Sequence, residues 1–281
     1  MKPVGFRYYT PGTVDDALAI LAEAGMSGKA LAGGQSLVPM MNFRLARPEV
    51  VVDLNRIPEL SGIRIDGEAV VIGAMTRHQT IADSVQLREV FPLLPRAASH
   101  IGHWAVRNRG TIGGSLAHAD PAAEWPAALQ TADARVEVAG PRGRRRITIG
   151  ELVVGPLTVS LEPEELIVAV HVPRPSKGMA FGFHELARRP GDFALVGAVV
   201  RVADGRADWT WFGLGHRPET RGVAGAKPGP ALAGQLREVL ADVPVTGDIH
   251  AGEAWRRQVA VTVAERALDD ALGAHGTKEV G

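Results

Sequence analysis

The sequence predicts an α+β protein of about two domains, and three features carry that reading. Strand-like apolar runs recur through the chain and close as hairpins around Asp66-Gly67, the segment Gly140-Pro141-Arg142-Gly143, and Asp204-Gly205. Helical periodicity dominates near the start and again after residue 231. A polar, proline-rich stretch, Pro173-Arg174-Pro175-Ser176-Lys177-Gly178, separates two of the runs and is the best candidate boundary. The expected organisation is a domain over 1–175, with lobes of about 1–57 and 58–175, followed by a smaller domain over 176–281.

Taken in order, Thr13 with Asp15 and Asp16 reads as a helix N-cap with acidic side chains at the positive end of the dipole. Ala17, Leu18, Leu21 and Ala22 then repeat at helical spacing until Gly25 stops them. Residues 29–32 form a short strand that runs into the glycine turn Ala32-Gly33-Gly34-Gln35-Ser36. Val50-Val51-Val52-Asp53-Leu54 is a continuous apolar run of the kind buried on both faces. This order describes a small α/β unit. Past Pro58 the Asp66-Gly67 hairpin opens a second lobe, and helical segments at 79–84 and 91–99 lead to a second glycine turn. A helix over 122–131 is expected, launched by Pro121 near its first position. Residues 135–139 and 145–149 form the next hairpin. Residues 166–172 and 179–183 are strand-like, 195–202 and 209–214 form the last hairpin, and 231–240 and 252–272 are helical. Val259, Val263, Ala267 and Leu268 share one side of the final helix.

Composition narrows the function. The chain has 281 residues, 46% of them hydrophobic and 22% charged, as in an ordinary soluble globular protein. Its 31 basic and 31 acidic side chains cancel, which disfavours nucleic acid or an anionic membrane as partner. No apolar run approaches the roughly 18 residues needed to span a bilayer, and the first residues lack the apolar core of a signal peptide, so a cytoplasmic location is expected. There is no cysteine. That excludes disulfides, thiolate nucleophiles and iron–sulfur clusters held by this chain alone. His100 and His103 could share a helix face and His118 follows the second glycine turn, but zinc would need further ligands that the sequence does not supply. The basic cluster Arg142, Arg144, Arg145 and Arg146 could take a phosphate or a partner; at a hairpin tip it is more often a solvated turn.

The organising stretch is Arg109 to Glu124. It joins Thr111-Ile112-Gly113-Gly114-Ser115 to Ala119-Asp120-Pro121-Ala122 and ends in a carboxylate. Gly33-Gly34 and Gly113-Gly114 each let backbone approach a ligand without an intervening Cβ, with consecutive N–H groups available to phosphate oxygens and hydroxyls from Ser36 and Ser115 nearby. Neither is the glycine pattern of a Rossmann fold or of a P-loop. Most Gly-Gly-x-Ser turns serve only backbone geometry, so one alone says little.

The ordered set is more specific. Ala32 to Leu37, Pro48 to Arg56, Ile72-Gly73-Ala74-Met75-Thr76, and Thr111 to Ser115 continuing through Ala122 together resemble the FAD-binding medium subunit of the molybdenum hydroxylases, the family of xanthine dehydrogenase and aerobic carbon monoxide dehydrogenase. The resemblance runs almost end to end. It implies a two-lobed FAD-binding domain of the vanillyl-alcohol oxidase/PCMH type, followed by a smaller α+β domain of antiparallel sheet and helices. It also implies that Ala32, Gly33, Gly34, Gln35 and Ser36, with Thr111, Ile112, Gly113, Gly114 and Ser115, wrap the FAD pyrophosphate. Ala119 belongs to the same motif, and Glu124 stands where the family usually has an Asp on the adenosine ribose. The segment Phe183 to Ala194 resembles the family loop at the flavin ring, which makes His184 and Phe193 ring neighbours. Ile167 matches another position near the ring. For Phe193 and Ile167, packing in a core strand is the competing reading.

The resemblance further implies electron relay from [2Fe-2S] clusters of a small partner subunit through FAD to an external acceptor. Substrate would be oxidised on a large subunit carrying the molybdenum cofactor, in a complex built as a dimer of heterotrimers. No catalytic residue and no metal site is assigned to this chain. The alternatives are a stand-alone flavin oxidase or dehydrogenase of the same superfamily, and a flavin-free scaffold subunit.

Overall fold

A computed structural model of the chain describes residues 2–273. Residues 274–281 of the expected C-terminal domain lie outside the described residues. Through the first half the elements are β1 (Arg7–Tyr9), α1 (Val14–Ala24), β2 (Gly28–Leu31), α2 (Leu37–Asn42), β3 (Val50–Asp53), β4 (Ile63–Asp66), β5 (Ala69–Gly73), α3 (His78–Ala82), α4 (Val85–Val90), α5 (Leu93–His100), α6 (Trp104–Arg107), α7 (Ile112–His118) and α8 (Glu124–Thr131). There follow β6 (Arg135–Gly140), β7 (Gly143–Thr148), α9 (Ile149–Leu152), β8 (Val153–Gly155), β9 (Thr158–Val159), β10 (Leu166–Pro173), β11 (Ala180–Ala187), β12 (Ala194–Ala203), β13 (Arg206–Phe212), β14 (Glu219–Ala224), α10 (Leu232–Leu240) and α11 (Glu253–Ala271). The fold is α+β. It packs as two compact units, one made of Met1–Asp83, His103–Ala119 and Ala134–Pro173, the other of Ser84–Gly102, Asp120–Asp133 and Arg174–Gly281.

In the first unit, β3 lies between β1 and β2 in a three-stranded parallel sheet. Its valines are buried, as a continuous apolar run in a central parallel strand should be. Helix α1 covers the sheet: Val14, Ala17 and Leu21 join Val50, Val52 and Leu54 in one cluster. The Thr13 hydroxyl accepts from the Asp16 N–H at 3.1 Å, so the cap forms where the sequence puts it. β1 is not foreshadowed, because Arg7-Tyr8-Tyr9 is an exposed edge strand without an apolar alternation. The second sheet of this unit has the order β4-β5-β10-β6-β7 and is antiparallel. A bulge in β10 falls between Ile167 and Ala169, and there the Val168 carbonyl accepts from the Ala74 N–H at 3.0 Å. The basic hairpin is internally compensated: Arg144 and Arg146 pair with Glu137, and Arg145 donates to both oxygens of Glu165, at 3.2 and 2.8 Å.

The second unit is a meander, β11-β12-β13-β14, with α11 packed on β11 and β12. The Trp209 and Trp211 indoles are buried and each donates to a carbonyl of α11, Ala264 at 2.9 Å and Ala260 at 3.0 Å. That pairing lets two large aromatic side chains enter the core without an orphaned N–H. β14 also escapes sequence reading, since only Val223 of its six residues is buried. Helix α8 begins at Glu124 rather than at 122. Asp120 accounts for the delay, because its side chain accepts from the Ala122 N–H at 2.8 Å and its carbonyl from the Ala123 N–H at 3.0 Å, making a turn first. Pro121 therefore precedes the helix. Pro126 is the proline inside it, in the first turn, where the missing N–H would have had no intrahelical acceptor. No helix among the described residues is long and apolar enough to cross a membrane.

Arg256 holds the second unit together at one point. Its guanidinium is buried and donates to the Leu195 and Gly213 carbonyls and to the Asp248 carboxylate at 2.6 Å. Arg256→Met should lower unfolding stability by about 2–3 kcal/mol, chiefly because three carbonyls, of Leu195, Gly213 and Ala251, lose their charged donor, Asp248 being open to water. Chemical denaturation of the two proteins side by side checks this.

Candidate functional site

The first glycine segment connects β2 to α2. Gly34 has φ +72°, a left-handed conformation that glycine adopts without strain. Its carbonyl accepts from the Val38 N–H at 3.2 Å and starts the helix. Among the described residues, no group accepts from the backbone N–H of Gly33, Gly34, Gln35 or Ser36. Four successive donors are thus left for something else to satisfy. Ser36 is half-buried beside them and Gln35 is exposed, its amide reaching back to the Gly33 carbonyl at 3.4 Å.

The second segment differs from the turn that the sequence suggests. Gly113 and Gly114 lie in the first turn of α7, capped by Thr111, whose hydroxyl accepts from the Gly114 N–H at 3.1 Å. The Ile112 N–H donates to Thr76, at 3.2 Å, and the Gly113 N–H to Ala74, at 2.8 Å. The Ser115 N–H donates to the Thr111 carbonyl at 3.0 Å. These amides are already used, so the expectation that both glycine pairs offer free N–H groups is corrected for the second pair. Its glycines serve close packing. A Cβ on Gly113 would sit 2.6 Å from that of Ala74.

The two segments touch. A Cβ on Gly33 would collide with the Arg109 carbonyl and come within 2.7 Å of the Gly110 Cα, and one on Gly114 would lie 3.3 Å from the Ala32 Cβ. Behind them, the His78 ring occupies the space that a side chain at Gly110 would need, and the His78 N–H donates to the Gly110 carbonyl at 3.1 Å. Burial, and then Arg77 and Arg107, push the His78 imidazole down to about 3, so it is neutral at physiological pH. A hydrogen-bonded chain that the sequence does not reveal runs alongside, through Tyr8, Asp53, Asn55, Arg77 and the Ala32 and Arg109 carbonyls. The Asp-x-Asn ending of β3 is its one sequence signal.

The remaining expected residues separate by unit. Ala119 ends α7 in a left-handed conformation and is buried, and Ile167 is buried in β10; both belong to the first unit. Glu124, His184 and Phe193 belong to the second. Phe193 is 62% exposed, in the turn before β12, so it does not start the core strand. His184 is half-buried on β11, its Nε2 3.3 Å from Arg266; burial, followed by Arg266, His100 and Arg96, lowers it to about 4. Glu124 is only 3% exposed. Burial first, and then the charges of Glu185 and Asp120, raise its carboxyl to about 8. Glu185 meets the His100 Nδ1 at 3.2 Å, while its second oxygen is buried without a partner. No cluster of metal-ligating side chains occurs among the described residues.

The donor set fits a diphosphate-bearing cofactor in the first unit: four unpaired amides and a serine hydroxyl stand at a glycine that could not carry a Cβ. Comparison with known proteins agrees. Residues 4–175 match the family model described as "FAD binding domain in molybdopterin dehydrogenase". The 6-hydroxypseudooxynicotine dehydrogenase complex subunit alpha of Paenarthrobacter nicotinovorans is 39% identical, covering 99% of both chains. The carbon monoxide dehydrogenase medium chain of Hydrogenophaga pseudoflava is 42% identical over 71% of this chain and 70% of its own. Among solved structures, a carbon monoxide dehydrogenase from Hydrogenophaga pseudoflava superposes with a TM-score of 0.91 at 34% identity, over 97% of this chain and 99% of that one. A quinoline 2-oxidoreductase chain from Pseudomonas putida 86 does so with 0.89 at 32% identity, over 98% and 99%. The chain therefore belongs to the family of FAD-binding medium subunits of the molybdenum hydroxylases, and is an oxidoreductase subunit.

Proposed function

We propose that the chain holds FAD non-covalently and relays electrons from [2Fe-2S] clusters of a small partner subunit to an external acceptor, while a large molybdenum-cofactor subunit oxidises the substrate. The observation that carries the reading is the row of unpaired amides from Gly33 to Ser36, closed from behind by the second glycine segment. The flavin, when bound, supplies two-electron and one-electron redox chemistry. The chain's own residues bind and orient it. Amides 33–36 and the Ser36 hydroxyl donate to the diphosphate, Thr111 to Ser115 form the wall against which that loop is shaped, and Ser115 adds a hydroxyl. Ala119 buttresses the end of the second segment, and Ile167, buried in β10, would lie near the ring. Glu124 is assigned to the ribose, and His184 and Phe193 to the ring. Domains over 1–175 and 176–281, a cytoplasmic location and a dimer of heterotrimers complete the reading. The absence of cysteine agrees with clusters housed in another subunit.

Purification with the partner subunits, followed by flavin, iron and molybdenum analysis, tests the relay. Titration of the isolated chain with FAD tests the site. Gly114→Asp puts a side chain against Thr111 and Ala32 and a negative charge beside the diphosphate, and should abolish FAD retention in a folded protein. Retention at the parental level, read from the visible flavin band, would refute the placement.

Glu124 gives a pH dependence whose sign follows from its raised value. The folded carboxyl keeps its proton up to about 8, whereas the unfolded one releases it near 4.5, so the folded state binds more protons between these values. The Glu124 contribution to stability is fully present below 4.5 and declines as pH rises toward 8. Glu124→Gln should flatten that decline and leave the flavin-free chain more stable than the parent at pH 8.5. Thermal unfolding of both proteins across the window measures it; parallel curves would show that Glu124 is ionised in the fold.

A further inference from the structure

Asn55 and Arg77 lie outside the glycine segments, yet both segments are tied to them. Asn55 follows β3 and uses every polar atom of its amide. Its Nδ2 donates to the Ala32 carbonyl at 3.0 Å and to Asp53 Oδ1, and its Oδ1 accepts from Arg77. Only one orientation of the amide satisfies that set. Asp53 holds Asn55 in place by also accepting from its backbone N–H at 2.9 Å, and the second Asp53 oxygen accepts from the Tyr8 hydroxyl. The other end nitrogen of Arg77 donates to the Arg109 carbonyl. This is the carbonyl against which Gly33 packs.

The chain of bonds thus begins at the carbonyl just before Gly33 and ends at the carbonyl just before Gly110. Between them stand one oriented amide and one planar guanidinium, whose two end nitrogens are held at a fixed separation. We propose that Asn55 and Arg77 act as a strut that sets the spacing of the two glycine segments, and with it the affinity for the FAD diphosphate; this rests on the reading of the cradle as an FAD site. Both are positioning residues, since the Asn55 amide and both end nitrogens of Arg77 are engaged with the protein.

The test uses the full chain, stripped of flavin and titrated with FAD. Asn55→Ala and Arg77→Met should each raise the Kd about tenfold, equivalent to about 1.4 kcal/mol, and the double variant should also raise it about tenfold, because either change breaks the same connection. Arg77→Lys keeps the charge but cannot bridge Asn55 and Arg109, so it should bind as weakly as Arg77→Met. Asn55 is exposed, so the flavin-free Asn55→Ala variant should melt within a few degrees of the parent. Single variants with parental Kd, a double variant equal to the product of the singles, or full rescue by Arg77→Lys would overturn the strut. A parent that takes up no FAD would instead overturn the FAD reading and the affinity claim with it. Should the singles fail to fold, Tyr8→Phe removes only the hydroxyl that an exposed ring donates to Asp53 and should raise the Kd about threefold; an unchanged value would also overturn the proposal.

Discussion

The first unit turns on one contact, the backbone of Gly33 laid against the carbonyl of Arg109 and the Cα of Gly110. No residue with a Cβ can stand at Gly33 without driving the two segments apart. The segments come from different parts of the unit, one from the end of a parallel strand and the other from the entrance to a helix. With Gly33 in place, the first loop needs no hydrogen bond from the second to stay beside it. Its amides are consequently left unpaired. A peptide N–H without an acceptor is costly when buried and ordinary when hydrated, and in the proposed site a diphosphate would supply the acceptors that the protein does not.

The two Gly-Gly pairs share a spelling and use it for different ends. Gly34 needs its left-handed backbone to turn from strand to helix. Gly113 has an ordinary helical backbone and is small because Ala74 lies against it. The amide accounting separates them in the same way: the first pair is open, and the second is engaged with Ala74 and the Thr111 hydroxyl. What the second pair contributes is rigidity. Segment 74–76 receives the amides of Ile112 and Gly113 and is itself fixed, through Ala74 to the bulge of β10 and through Met75 to Leu60. The wall behind the free amides is thereby tied to the central strand β10 and to the turn before β4.

How much of this could be read from the sequence depends on where each signal resides. The cap at Thr13, the buried run at Val50, the three Gly-containing hairpins and the apolar side of α11 are local, and all are found where expected. β1 and β14 have no local signal, because an edge strand is recruited by its neighbour and not by its own pattern. At the site, the glycines were legible as residues and misread as conformations, since Gly113 and Gly114 look like a turn until Thr111 is seen to cap them. Asn55 and Arg77 were not legible as a pair. Their partners are carbonyls, which carry no residue identity, and the meeting of Ala32 with Arg109 exists only in the folded chain.

Glu124 shows why residue type alone does not decide a role. Against the Asp usual in the family, the added methylene looks like a question of reach. In the fold the question becomes one of protonation. A carboxylate at 3% exposure, near Glu185 and Asp120, loses its hydration and gains like-charged neighbours, so the neutral acid is favoured. A neutral acid has one donor and keeps an acceptor, while a carboxylate has acceptors only. A ribose hydroxyl can serve either way. In the proposed contact Glu124 would therefore meet the ribose by donating as well as by accepting, and the side chain that best preserves it need not be Asp. By this argument the nearest functional substitute is Gln, which has the shape of the protonated acid and a donor that no change of pH removes.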